Sequence, residues 1–136
     1  MSDSVTSHPE APDTVTVTFA ADTRNVGLAR TVAAAMAARA DLPLDQLEDV
    51  RLAVDEAVSQ VILDAPAGAD VECSFVAQGT ELDIRVSSAS MSGRPPAHDT
   101  FSWTVLTALV DDVTVTLDAG RVTLALSISR QVPVEA

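Results

Sequence analysis

Lysine is absent from this chain: all eight basic residues are arginine. Tyrosine is absent too, and aromatic residues make up only 3% of the sequence, so any core must be built from Val, Leu, Ile and Ala. There is a single cysteine, Cys73, which excludes an internal disulfide and a cysteine-rich zinc site. Its alternation with Val71 and Phe75 predicts a buried core thiol in a strand, not a reactive one. No apolar run comes near the roughly 18 residues that span a bilayer, and no basic segment precedes an apolar stretch. A soluble, cytoplasmic protein with no membrane contact is therefore expected.

What the chain does have is 136 residues and 47% apolar content, the size and composition of one folded domain. Acidic residues outnumber basic ones twenty to eight, for a net charge of −12. Such a chain repels phosphate backbones, so direct nucleic-acid binding is not expected. The charge suits a basic partner, whose encounter it would speed in a salt-sensitive way, and equally suits simple solubility. Arginine without lysine, with heavy Ala, Val and Asp usage, reads as the codon bias of a GC-rich bacterial genome.

Along the chain, residues 1–12 are polar, carry Pro9 and Pro12 and lack periodicity, which predicts a disordered tail; His8 within it is incidental. Residues 14–20 (TVTVTFA) alternate strictly and predict a half-buried strand. Asp22 stands at an N-cap position before an alanine-rich helix over 23–40, with Val26, Ala29, Val32, Ala33 and Met36 along one side. In residues 44–65, Leu47, Val50, Val54, Val58 and Val61 form one apolar stripe of a second helix. Residues 71–77 and 81–87 flank Gln78-Gly79-Thr80 and predict a hairpin; 88–99, with two prolines and a glycine, read as loop. Residues 100–110 return to helical spacing through Phe101, Val105 and Leu109, with Phe101 and Trp103 expected as core anchors. Residues 113–117 and 121–129 predict a second hairpin around Asp118-Ala119-Gly120. This order predicts an α+β fold, a two-layer sandwich of a mostly antiparallel sheet covered on one face by three helices. The domain should span 13–131, with a short tail over 132–136.

On the second helix, Glu48, Leu52, Glu56 and Gln60 recur every fourth residue and form a second stripe beside the apolar one. A carboxylate and an amide one turn apart can orient a hydroxyl or help hold a hydrated cation, but Glu and Gln are also ordinary solvent-facing helix residues. His98 has no sequence-local partner and reads as an exposed loop histidine.

Residues 51–60 (RLAVDEAVSQ) and the element order resemble the RsbW and SpoIIAB family of anti-sigma factor serine kinases on the GHKL ATPase fold. The likeness is greatest to RsbW homologues of GC-rich Gram-positive bacteria and runs from about residue 14 to 130. In that family the second helix carries Glu-x-x-x-Asn, general base and Mg²⁺ ligand, which falls on Glu56 and Gln60 here. Asn25-Val-Gly-Leu-Ala-Arg30 fits the family's Asn-x-x-x-Ala-Arg pattern, so Asn25 and Arg30 are the implied partner-binding residues. The resemblance further implies an alternative sigma factor and an anti-anti-sigma protein as partners, stress-response partner switching, and a homodimer.

The departures bear on the cofactor. The family's adenine-reading Asp-x-Gly-x-Gly falls on Ser88, Ser90 and Ser92, and the second glycine-rich box is replaced by Phe101-Ser102-Trp103. A lost charge-assisted bond to adenine costs roughly 1.5–3 kcal/mol. Serine where glycine takes positive φ adds about 1–2 kcal/mol. Together these imply ATP affinity weakened about a hundredfold or more. Gln60, one methylene longer than Asn, displaces its amide oxygen from an octahedral Mg²⁺ site. Two functions follow from the resemblance: a sigma-factor trap with no ATP or weak ATP/Mg, and an active serine-protein kinase with Glu56 as base.

Overall fold

The computed structural model describes residues 11–131; most of the expected N-terminal tail, with His8, and the whole expected C-terminal tail lie outside the described residues. Strand β1 (Asp13–Ala20) leads through one 3₁₀ turn (Thr23–Asn25) into α1 (Val26–Arg39), then α2 (Leu44–Leu63), β2 (Asp70–Gln78), β3 (Glu81–Ala89), α3 (Phe101–Leu109), β4 (Asp112–Asp118) and β5 (Arg121–Ser129). The sheet order is β1-β2-β3-β5-β4, and every neighbouring pair is antiparallel. The fold is the expected α+β sandwich, with the sheet wholly antiparallel.

Period-two patterning sets which face of the sheet is dry. Val71, Cys73, Phe75, Leu82, Ile84, Val86, Val122, Leu124 and Leu126 point to one side and are buried there. The helices supply small residues against them: Ala29, Ala33 and Ala37 from α1, and Val50, Ala53, Val54, Ala57, Val58 and Val61 from α2. With so few aromatics, close approach of alanine-lined helices to the sheet replaces bulky side chains as the means of excluding water. Burial pushes the Cys73 thiol up to about 12, helped by the nearby Glu72 carboxylate, so it is an inert core residue as its strand position predicts.

The first helix begins later than its periodicity suggests. Asp22 does cap it, accepting the Arg24 N–H at 2.9 Å, but the cap closes a 3₁₀ turn and α-helix starts only at Val26. At the far end Asp41 adopts φ 59°, and Leu42 N–H donates to the Ala37 carbonyl at 3.1 Å, a six-to-one closure that stops α1. The β4–β5 turn holds both Ala119 (φ 51°) and Gly120 (φ 76°) in the left-handed region, as a two-residue hairpin with the native strand twist requires.

The third helix corrects one expectation. Phe101 is 83% exposed and Trp103 only half-buried; neither anchors the core. The buried positions are Leu106 and Val110, with Leu109 packed beside them. The reason lies at its N-terminus: Thr100 caps it by accepting the Trp103 N–H at 3.2 Å, and the phase so set turns Ser102, one turn before Leu106, toward α2.

Candidate functional site

The cleft between the second half of α2, the 88–99 segment and α3 gathers most of the candidate residues. The apolar stripe of α2 locks that helix against the sheet, which leaves Glu56 and Gln60 half-buried on its flank, facing α3. There Ser102 meets both. Its hydroxyl donates to Glu56 Oε2 at 2.5 Å and accepts from Gln60 Nε2 at 2.7 Å. The directions are mutually required: a carboxylate only accepts, so the serine proton goes to Glu56 and its lone pair is left for the amide N–H. Beneath this pair, the space bounded by Gln60, Ser102, Leu106 and Leu124 has no volume for a water molecule. Beside it His98, exposed as expected, stacks flat on Trp103 with ring centres 3.9 Å apart and planes 7° from parallel.

At the other end of the cleft α2 stops at Asp64, whose carboxylate gathers the loop that follows β3. Ser90 Oγ donates to Oδ2 at 2.5 Å, Ser92 Oγ to the same oxygen at 2.8 Å, and Ser92 N–H to Oδ1 at 3.0 Å. Met91 N–H donates to the Asp64 carbonyl at 2.7 Å, so the main chain is tied as well. The serine hydroxyls, Ser90 first, and then the Ser92 N–H hold the Asp64 carboxyl below its ordinary range against a smaller opposing effect of burial. Gly93 N–H and Arg94 N–H in turn donate to the hydroxyls of Ser90 and Ser92, giving the loop internal order. Ser88 is fully buried, and its hydroxyl donates to its neighbour's carbonyl, Ala89 O, at 3.0 Å.

The cleft therefore brings together Glu56, Gln60, Ser90 and Ser92, with Ser88 in the adjoining strand. Asn25 and Arg30 lie elsewhere. Asn25 Nδ2 donates to the Ala20 carbonyl at 2.9 Å, closing the β1–α1 turn. Arg30 Nη1 contacts both oxygens of Asp55 at 2.9 and 3.0 Å, joining α1 to α2 with both side chains about a third exposed or slightly more. Among the described residues no group of three His, Cys, Asp or Glu side chains is placed to hold a metal. None of the helices described is long and apolar enough to cross a membrane.

Of two residues central to this geometry, the sequence marked Ser102 only as part of the segment replacing a glycine-rich box, and Asp64 not at all. Ser102 sits 46 and 42 positions from its two partners, and Asp64 is 26 and 28 from its serines. No local spacing rule links residues so far apart; only the register of β3 and the packing of Leu106 brings them together.

Residues 19–128 match the histidine kinase-like ATPase domain family. The chain is 34% identical over 114 residues to the anti-sigma-F factor RsbW of Mycobacterium tuberculosis, in both strain H37Rv and strain CDC 1551, covering 84% of this chain and 68% of the relative. Among solved structures, the RsbU and RsbW domains of a longer M. tuberculosis protein superpose with a TM-score of 0.61 at 16% identity, a likeness of fold covering 89% of this chain and 35% of that one. The chain thus spans about a third of that solved neighbour. With the match running from the end of β1 into β5, the chain belongs to the histidine kinase-like ATPase domain family and is a homologue of RsbW-type anti-sigma factors.

Proposed function

We propose that this protein captures an alternative sigma factor and releases it to a competing anti-anti-sigma protein, and that capture does not depend on nucleotide. One observation carries the second half of this reading: Ser102 satisfies both Glu56 and Gln60, the two positions where the family places base and metal ligand. A Mg²⁺-nucleotide does not fit the side chains as they stand. Gln60 directs its N–H₂ donors, not its carbonyl, at Ser102 beside Glu56; Ser88 offers no carboxylate to an adenine amino group; and Ser90 and Ser92 spend their hydroxyls on Asp64. The open part of the cleft measures about 200 Å³, below the roughly 300–1,000 Å³ of small-molecule and cofactor sites.

Capture itself needs complementary surface. Leu28 on α1 and Leu52 on α2 are more than half exposed, on the two helices that the Arg30–Asp55 pair joins. The net charge of −12 favours encounter with a partner rich in basic residues. The homodimer and the cytoplasmic location implied by the resemblance belong to this reading, and sedimentation of the purified chain tests the former.

Co-expression with candidate sigma factors followed by purification at low salt tests the proposal: a stable complex without added nucleotide supports it, and a chain that retains none of them ends it. Arg30→Ala should weaken that complex while leaving the melting temperature nearly unchanged, because a half-exposed ion pair contributes only about 0.2–1 kcal/mol to folding. A second reading, an active serine-protein kinase, rests on the presence of Glu56. Radiolabelled ATP with a candidate antagonist separates the two: transfer that vanishes in Glu56→Ala establishes the kinase, and no transfer by the wild-type chain rejects it.

A further inference from the structure

The open part of the cleft has a chemistry of its own. Its volume is about 200 Å³, and its floor and walls are Val61, Val122, Pro95 and Pro96. Val61 and Val122 are at most 2% exposed, so the floor is rigid core. The walls are stiffened, though more exposed than the floor: two consecutive prolines have fixed φ, and the segment before them is tied to Asp64 through Ser90 and Ser92. The cavity is therefore formed before anything enters it, which lowers the ordering cost of binding.

Three polar groups stand at its rim besides Ser92. Gln60 has its N–H₂ on Ser102, which leaves its carbonyl unused by that bond. Arg94 lines the cavity and makes no ion pair within 4.0 Å among the described residues, whereas five of the other seven arginines do. The cavity's one carboxylate, Asp64, already accepts three hydrogen bonds. The available charge at the mouth is thus a guanidinium, whose planar fork matches a carboxylate. A dry cavity of roughly 150 Å³ accommodates one benzene ring, so 200 Å³ has room for a single ring with a small substituent and not for a nucleotide.

We propose that this cavity binds a small single-ring aromatic carboxylate, its ring between Val61, Val122 and the Pro95–Pro96 wall and its carboxylate on Arg94. Occupancy would bridge α2 to the 92–96 segment, giving the protein a small-molecule input that is separate from sigma-factor capture and does not rest on it.

Benzoate is the probe, titrated into the isotope-labelled chain and followed by amide chemical shifts, with benzyl alcohol, acetate and the variant Arg94→Gln as comparisons. Arg94 is exposed and its side chain makes no ion pair among the described residues, so the variant should fold as the wild type does. The expected result is saturable shifts confined to α2 near Val61, the 92–94 amides and Val122, with benzyl alcohol and acetate each at least about tenfold weaker. Arg94→Gln should weaken benzoate about tenfold, the equivalent of one charge-assisted contact at 1.4 kcal/mol per decade, and leave benzyl alcohol unchanged. Three outcomes overturn the proposal: no saturable shift, equal binding of benzoate and benzyl alcohol, or benzoate binding that Arg94→Gln does not alter.

Discussion

The two ends of the cleft use their polar side chains in different ways. At one end Glu56 and Gln60, which the resemblance would set at the family's base and metal-ligand positions, are both occupied by a serine from α3, and the space beneath them is closed. At the other end, where the resemblance would set an aspartate and two glycines against Ser88, Ser90 and Ser92, the cleft stays open, and the Ser90 and Ser92 hydroxyls build an ordered wall on Asp64. A carboxylate half-buried on a helix flank is thus not thereby available, and a loop rich in serine does not by itself fill the cavity beside it. What decides each case is whether the polar side chain finds a partner within the fold.

The largest effect should come from the anchor that holds the closed end shut. Leu106 is the one fully buried side chain of α3, and Leu106→Ala should cost about 2–5 kcal/mol in a denaturant melt. Because Trp103 is the sole tryptophan and there is no tyrosine, its emission should report the release of α3 directly. At the open end, Asp64→Ala removes three accepting bonds and should cost about 1–2 kcal/mol. The same carboxyl gives a pH signature. Its pKa is lowered in the folded state, so its stabilisation is present above the ordinary value near 3.9 and is lost as pH falls through the folded value. Asp64→Asn should remove that acid-side loss, which melts taken from pH 6 down to pH 2 would reveal.

Ser102→Ala is the sharper probe of the comparison, though its effect on stability should be smaller, about 1 kcal/mol, since Glu56 and Gln60 can turn to water. If the closed end is held by the serine, the variant should show faster amide exchange at the start of α3; an unchanged exchange pattern would assign the closure to Leu106 alone. Smallest of all, and outside both ends, Ala119→Asn should stabilise by about 0.5 kcal/mol, a part of the roughly 1–2 kcal/mol that a left-handed alanine costs.

Most of the fold was legible in the chain because its signals are local. The alternation of residues 14–20, the valine stripe of α2 and the turn residues at Gly79 and Gly120 each fix an element without reference to the rest. The third helix was misphased for the opposite reason: apolar spacing through Phe101 and Val105 competes with a cap at Thr100 and a polar contact across 46 residues, and the cap and contact prevail. In the site, Glu56 and Gln60 stood out only through the family resemblance, because their four-residue spacing, shared with Glu48 and Leu52, is that of any helix face. Ser102 as their shared partner, and Asp64 beneath the serines, did not, since nothing in a linear sequence marks a hydroxyl that meets its acceptor only after the sheet has formed.

Titrating Mg²⁺-ATP into the purified full chain by calorimetry tests most directly whether the family's nucleotide site has been closed at one end and reshaped at the other. The expected result is no saturable heat, or a Kd weaker than about 1 mM, with Ser102→Ala no tighter. A Kd of about 1 μM, near 8 kcal/mol of binding, would contradict it.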